Sequence, residues 1–162
     1  MQRTYRFPFV RIRETAEYRP LLPITIINPE NNLDDFGWAI IDTGADRSAF
    51  PEHVAKKIYH DIKNKKTKID YIETAGGFVK VYKHTFEIKI HAMKMVGPNI
   101  KIGKTVIRIP NMLVDVIPLI TENNEGKPVH TSFRQIVLGV EDFIKNYVVT
   151  FDYPNRTFSL SK

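Results

Sequence analysis

Apolar and polar positions alternate in short runs along this chain, and few of those runs have the length or the 3.6-residue period of a helix. "TYRFPFVRI" alternates loosely, and its Pro8 predicts a strand at a sheet edge. "PLLPITIIN" predicts a second strand that stops at the turn-forming pair Asn28-Pro29. The polar "NPENNLDD" reads as a surface loop ahead of a strand from about Gly37 to Asp42. "PEHVAKKIY" has the marks of a short helix: Pro51 suits its start, Glu52 favours the positive end of the dipole, and Val54, Ala55 and Ile58 form one apolar stripe.

Beyond it, "KIDYIETAGGFVKVYKHTFEIKIHAM" holds two apolar stretches around Gly76-Gly77, the pattern of a β-hairpin. "TVIRIPNMLVDVI" predicts one or two further strands, broken or bulged at Pro110. "TENNEGKPVHTS" is a polar loop, and "QIVLG" a buried run. "VEDFIKN" predicts a short helix, and "YVVTFDYPNRTFSL" a closing hairpin turned at Pro154-Asn155. The expectation is one mainly β domain over residues 1–162, with roughly six to nine strands, short helices after 51 and 139, and a flexible insertion near 117–132.

Composition narrows the function classes. At 162 residues, 43% hydrophobic and 26% charged, the chain is long enough for one core and too ordinary to be disordered. Ten prolines and eight glycines fit many turns. With no cysteine, disulfides, thiol catalysis and thiolate metal sites are excluded. The five histidines show no metal-ligand spacing and are expected at the surface, so no metal and no cofactor are predicted. A net charge of +6 could favour nucleic acid or an anionic membrane. The one dense cluster, "KKIYHDIKNKKTK", has few aromatics to stack on bases, so nucleic-acid binding is the less favoured role. The basic N-terminus holds no apolar segment of signal-peptide length, and "IPNMLVDVIPLI" carries Asp115 and two prolines, which rules out a conventional span. A cytoplasmic protein is expected, or a domain of a larger one.

The candidate chemistry sits in "WAIIDTGADRSAF". A buried-looking strand ends in Asp42 with no lysine, arginine or histidine beside it, and Gly44 permits the tight turn that follows. Alone, such a carboxylate caps its own loop. Two of them sharing one proton could instead hydrolyse a peptide without metal or covalent nucleophile, one taking a proton from water and the other giving one to the amide.

Three segments, in order, resemble the retroviral-type aspartic proteases, or retropepsins. "AIIDTGADRSAF" is similar to their catalytic loop, "TAGGFVKVYKH" to the flap that closes over substrate, and "IVLG" before a short helix to the element beneath the catalytic loop. The resemblance implies a closed β-barrel of the acid-protease type. Because Asp-Thr-Gly occurs once in the chain, it also implies a homodimer with Asp42 from each subunit at the two-fold axis. It assigns catalysis to Asp42, Thr43 and Gly44. It assigns binding of a peptide or protein substrate to Ala45, Asp46, Thr74, Ala75, Gly76, Gly77 and Val137. Ser48 is read as a local hydrogen-bonder. The sequence departs from viral members in its length, in Glu73-Thr74-Ala75 near the flap tip, and in Val140 where many carry arginine. The alternatives are a catalytically silent dimerisation or peptide-binding module of the same fold, and a basic nucleic-acid-binding domain.

Overall fold

The computed structural model describes residues 3–162. Its strands are β1 (Thr4–Pro8), the short β2 (Val10–Arg11) and β3 (Tyr18–Arg19), β4 (Leu21–Ile27), β5 (Asp34–Ile41) and β6 (Ala49–Pro51). Helix α1 (Glu52–Lys57) leads to β7 (Lys68–Thr74), β8 (Gly77–Val96) and β9 (Asn99–Ile117). β10 (Ile120–Glu122), β11 (Pro128–His130), β12 (Ile136–Leu138), β13 (Val148–Asp152) and β14 (Thr157–Ser161) complete the chain. The strand count among the described residues exceeds the expected range because short ribbons outside the barrel add to it.

The strand order β4-β5-β12-β6-β9-β8, with β8 pairing back onto β4, closes a six-stranded barrel, and β7 hangs from its outer edge on β8. Closure removes the exposed edges that an open sheet would present. The barrel interior is apolar: Leu22, Ile24, Ile26, Phe50, Phe86 and Leu138 are almost wholly buried. α1 packs Val54 and Ala55 inward, with Ile58 just beyond its end, as the stripe predicts. β1 and β13 flank β14 in a separate antiparallel sheet, where Phe7 stacks on Phe158 at 5.2 Å between ring centroids.

Several expectations change in detail. The strand before Asp42 begins at Asp34, because Asp34 and Asp35 pair with Ile27 and Ile26 of β4. Pro110 falls at a bulge: Phe86 and Ile88 face Met112 and Ile109, so β9 carries the extra residue. The polar 121–132 segment includes a β10–β11 hairpin, turned at Asn123–Lys127. After Gly139 there is no regular α-helix. Ile144 and Lys145 donate to the carbonyls of Gly139 and Val140, five residues back, so the chain makes a wide turn and then a 3-10 helix at Ile144–Asn146.

His60 and His84 are buried, against the surface expectation. Their rings bridge α1's exit to β8: His60 Nδ1 meets Asn28 Oδ1 at 3.1 Å, its Nε2 meets His84 Nδ1 at 2.7 Å, and His84 Nε2 reaches the Ile62 carbonyl at 3.0 Å. Burial, and then the neighbouring His84, hold His60 below the ordinary histidine range. Among the described residues no helix is long and apolar enough to cross a membrane.

Candidate active site

β12 occupies the slot between β5 and β6, parallel to the first and antiparallel to the second. The chain must therefore leave β5, loop outward, and return to β6 on the far side of β12. Asp42 stands at the start of that loop. Its N–H donates to the Leu138 carbonyl at 3.1 Å, extending the β5–β12 ladder by one residue. Asp42 Oδ1 accepts the Gly44 N–H at 2.9 Å, and the Ala45 N–H donates to the Asp42 carbonyl at 3.3 Å, so the carboxylate is fixed in a tight Asx turn. A Cβ at position 44 would stand 3.3 Å from that same Oδ1, crowding the accepting oxygen.

The segment after β12 fastens the loop from beneath. Val140 and Glu141 donate their N–H groups to the carbonyls of Ala45 and Asp46 at 2.9 and 2.8 Å. Ser48 Oγ accepts the Gly139 N–H at 3.0 Å, and the Ser48 N–H donates to Asp142 Oδ2 at 2.8 Å. Ser48 is thus a long-range clasp rather than a local one. These bonds hold the acid loop on a rigid floor, as a positioned functional group requires.

Asp42, Gly44, Ala45, Asp46, Thr74 and Val137 all line one cleft of about 490 Å³, roofed by the β7 side of the β7–β8 hairpin. Ala75 and Gly76 line an adjoining cavity of about 380 Å³, shared with Thr74 and closed on its far side by Val129 and Phe133. Gly77 lines neither; it carries the positive φ of +101° that ends the hairpin turn, with Thr74 Oγ1 donating to its carbonyl at 2.8 Å. Thr43 is exposed next to Asp42, outside the cleft lining. Val137 is both core and cleft wall, 8% exposed and facing the cavity.

Asp42 is half-buried and has no cationic partner among the described residues; Arg47, on the same wall, turns instead to Asp70 at 3.3 Å and Asp115 at 3.8 Å. Lys83 closes that cluster, 3.0 Å from both Asp70 and Asp115. None of these four side chains was singled out as a site residue from the sequence. Asp115 carried a signal of the same kind as Asp42, a lone acid inside an apolar run, "LVDVI". Among the described residues no group of three or more histidine or acidic side chains converges as metal ligands do.

Asp115 is 2% exposed, and its Oδ2 has no hydrogen-bond partner among the described residues. Burial pushes its carboxyl up to about 6 from the ordinary 3.8; Arg47 pulls the other way, and the Asp70 and Asp142 carboxylates add to the rise. Between those two values the folded chain holds a proton that the unfolded chain has released, so stability falls as pH rises through that window. With the Lys83 contact opposing the shift, we expect a loss on the order of 2 kcal/mol, or about 5 °C in Tm. Asp115→Asn cannot ionise and should flatten the Tm–pH curve across this window. An equal slope in parent and variant, measured by thermal unfolding, would remove Asp115 as its source.

A family model described as aspartyl protease matches residues 30–141. Among solved structures, a retropepsin-like aspartic protease from Rickettsia conorii matches with a TM-score of 0.55 at 16% identity, covering 99% of this chain and 93% of that one. No curated protein matches. At this identity the structural likeness shows a common fold.

Proposed function

The chain belongs to the aspartyl protease family, and we propose that it is an aspartic endopeptidase built as a homodimer. In this reading two Asp42 carboxylates, one per subunit, share a proton and activate water against a peptide bond. One takes a proton from the water and the other supplies one to the amide, so no cofactor is needed. The observation that carries the reading is the placement of Asp42: half-buried, held by Gly44 and Leu138 backbone groups, facing a cleft, and without a counter-charge among the described residues. A single such carboxylate has no acid to work with, whereas a second copy of itself supplies one.

The remaining roles are those that the family resemblance assigns. Thr43, exposed beside Asp42, braces the two loops against each other. Gly44 lets substrate approach the carboxylates. Ala45, Asp46 and Val137 bind the peptide from one side, and Thr74 to Gly77 close over it from the other, excluding water from the reacting centre.

Subunit mixing tests the shared site. At fixed total chain, Asp42→Asn is mixed in equal amount with the parent and allowed to exchange. Only parent–parent pairs hold two carboxylates, so peptide cleavage should drop to about a quarter of the parent's rate, following the square of the active fraction. A drop to about half would mean that each chain acts alone, and the dimer mechanism would fail. If neither pure protein cuts a mixed peptide library between roughly pH 3 and 8 while both sediment as dimers, the silent peptide-binding module is the better reading.

A further inference from the structure

The pairing of β8 with β4 stops at Ile90, but β8 runs on to Val96 with only β9 beside it. The result is a two-stranded arm over residues 91–105, turned at Gly97-Pro98 with Gly97 at φ +60°. Its root is anchored by Met93, which is 6% exposed and belongs to the core; nearer the turn, Ile100, across from Met95, packs against the same cluster with one side. Its tip is not covered. Met95 and Val96 are 47% and 51% exposed, and Ile102, across from Met93, is 37% exposed.

The charge pattern of the arm is one-signed. Residues 88–114 contain Lys89, Lys94, Lys101, Lys104 and Arg108 and no aspartate or glutamate. Arg108 and Lys89 are engaged by Glu87 at the arm's base. Among the described residues, no ion-pair partner is seen for Lys94, Lys101 or Lys104. Lys94 and Lys101 face each other directly across the two strands, an arrangement that costs stability in an isolated sheet. An uncovered aliphatic tip flanked by unpaired, mutually repelling lysines is complementary to a surface that is anionic outside and apolar beneath.

We propose that this arm docks the protein on an anionic lipid surface, with Met95 and Val96 entering the boundary between headgroups and acyl chains. Lys94, Lys101 and Lys104 then reach back to the lipid phosphates, their methylene stems lying along the apolar layer. Neither part suffices alone. The apolar tip is too small for stable insertion, and the lysines alone would give a purely salt-sensitive contact; the two together supply the two signals that stable membrane association requires. A nucleic acid is the poorer partner because residues 92–104 carry no aromatic or arginine to stack on bases. The proposal stands apart from the catalytic reading, since no residue of the arm lines the cleft.

Vesicle flotation of the full chain tests it. Vesicles of phosphatidylcholine with phosphatidylglycerol should carry the protein upward, and phosphatidylcholine alone should not. Lys94→Gln with Lys101→Gln should weaken partitioning about tenfold or more, from two lysines at the surface. Met95→Ser with Val96→Ser should also weaken it and leave the residual binding more salt-sensitive. Circular dichroism and thermal unfolding establish that both variants fold. Lys65→Gln with Lys66→Gln, in the other basic cluster, should partition like the parent. Loss of equal size in that control would assign binding to overall charge and overturn the proposal. So would equal retention by neutral vesicles, or no flotation with retention on single-stranded RNA.

Discussion

Asp42→Asn should leave the fold intact and abolish peptide cleavage. An asparagine Oδ1 can still accept the Gly44 N–H at the position where Asp42 Oδ1 accepts it at 2.9 Å, and the Asp42 N–H bond to Leu138 belongs to the backbone. What disappears is the ionisable group, so a proposed pair of carboxyls can no longer pass one proton between water and amide. Loss of a central catalytic group acts on the scale of at least about three orders of magnitude in rate. The Tm should hold or rise slightly, because a half-buried charge with no counter-ion among the described residues is removed. The decisive measurement is cleavage of a mixed peptide library by matched amounts of both folded proteins. Comparable digestion by the variant would place the chemistry elsewhere.

What could be read from the sequence divides along the range of the signals. The turn at Asp42-Thr43-Gly44, the helix stripe of Val54, Ala55 and Ile58, and the hairpin at Gly76-Gly77 are each written in a few adjacent residues, and each forms where the pattern puts it. β12 is equally plain as a buried run, but its insertion between β5 and β6 is a matter of topology that no local pattern carries. The arm of β8 and β9 was missed beyond Met93 because "KMVGPNIKIGK" lacks clean alternation: glycine and lysine interrupt it, and its register shifts at bulges. The Arg47, Asp70, Lys83 and Asp115 cluster draws one residue from each of four segments, so only the closed barrel brings them together. The buried histidines were misplaced for a related reason. A histidine counts as surface until a partner is found, and for His60 the partners, Asn28 and His84, lie 32 and 24 residues away.

Gly139→Ala should be among the most damaging single-methyl additions in the chain. A Cβ built at Gly139 would stand 2.3 Å from the Arg47 carbonyl carbon, 2.5 Å from its oxygen and 2.8 Å from its Cα. Those are backbone atoms, and they have little room to retreat. Val140, Glu141 and Gly139 are all bonded to the loop that contains Arg47, through Ala45, Asp46 and Ser48. Relief therefore requires the acid loop and its floor to separate, breaking bonds that hold Asp42 at the cleft. Overpacking against backbone, with the bonds it opens, should cost on the order of 3 kcal/mol. That corresponds to a fall in Tm of about 6–12 °C for a chain of this size. Residual folded protein should also be slow, because a displacement of about 1 Å at a reacting group can cost about a hundredfold in rate. Gly76→Ala is the matched control, since its Cβ would meet only Thr74 Oγ1 at 3.8 Å, an ordinary contact. Its Tm should lie within about 1–2 °C of the parent, the size of a surface substitution. If Gly139→Ala unfolds at the same temperature as Gly76→Ala, the close approach of the two loops is not what secures Asp42. The fixed geometry on which the shared-proton mechanism depends would then need another source.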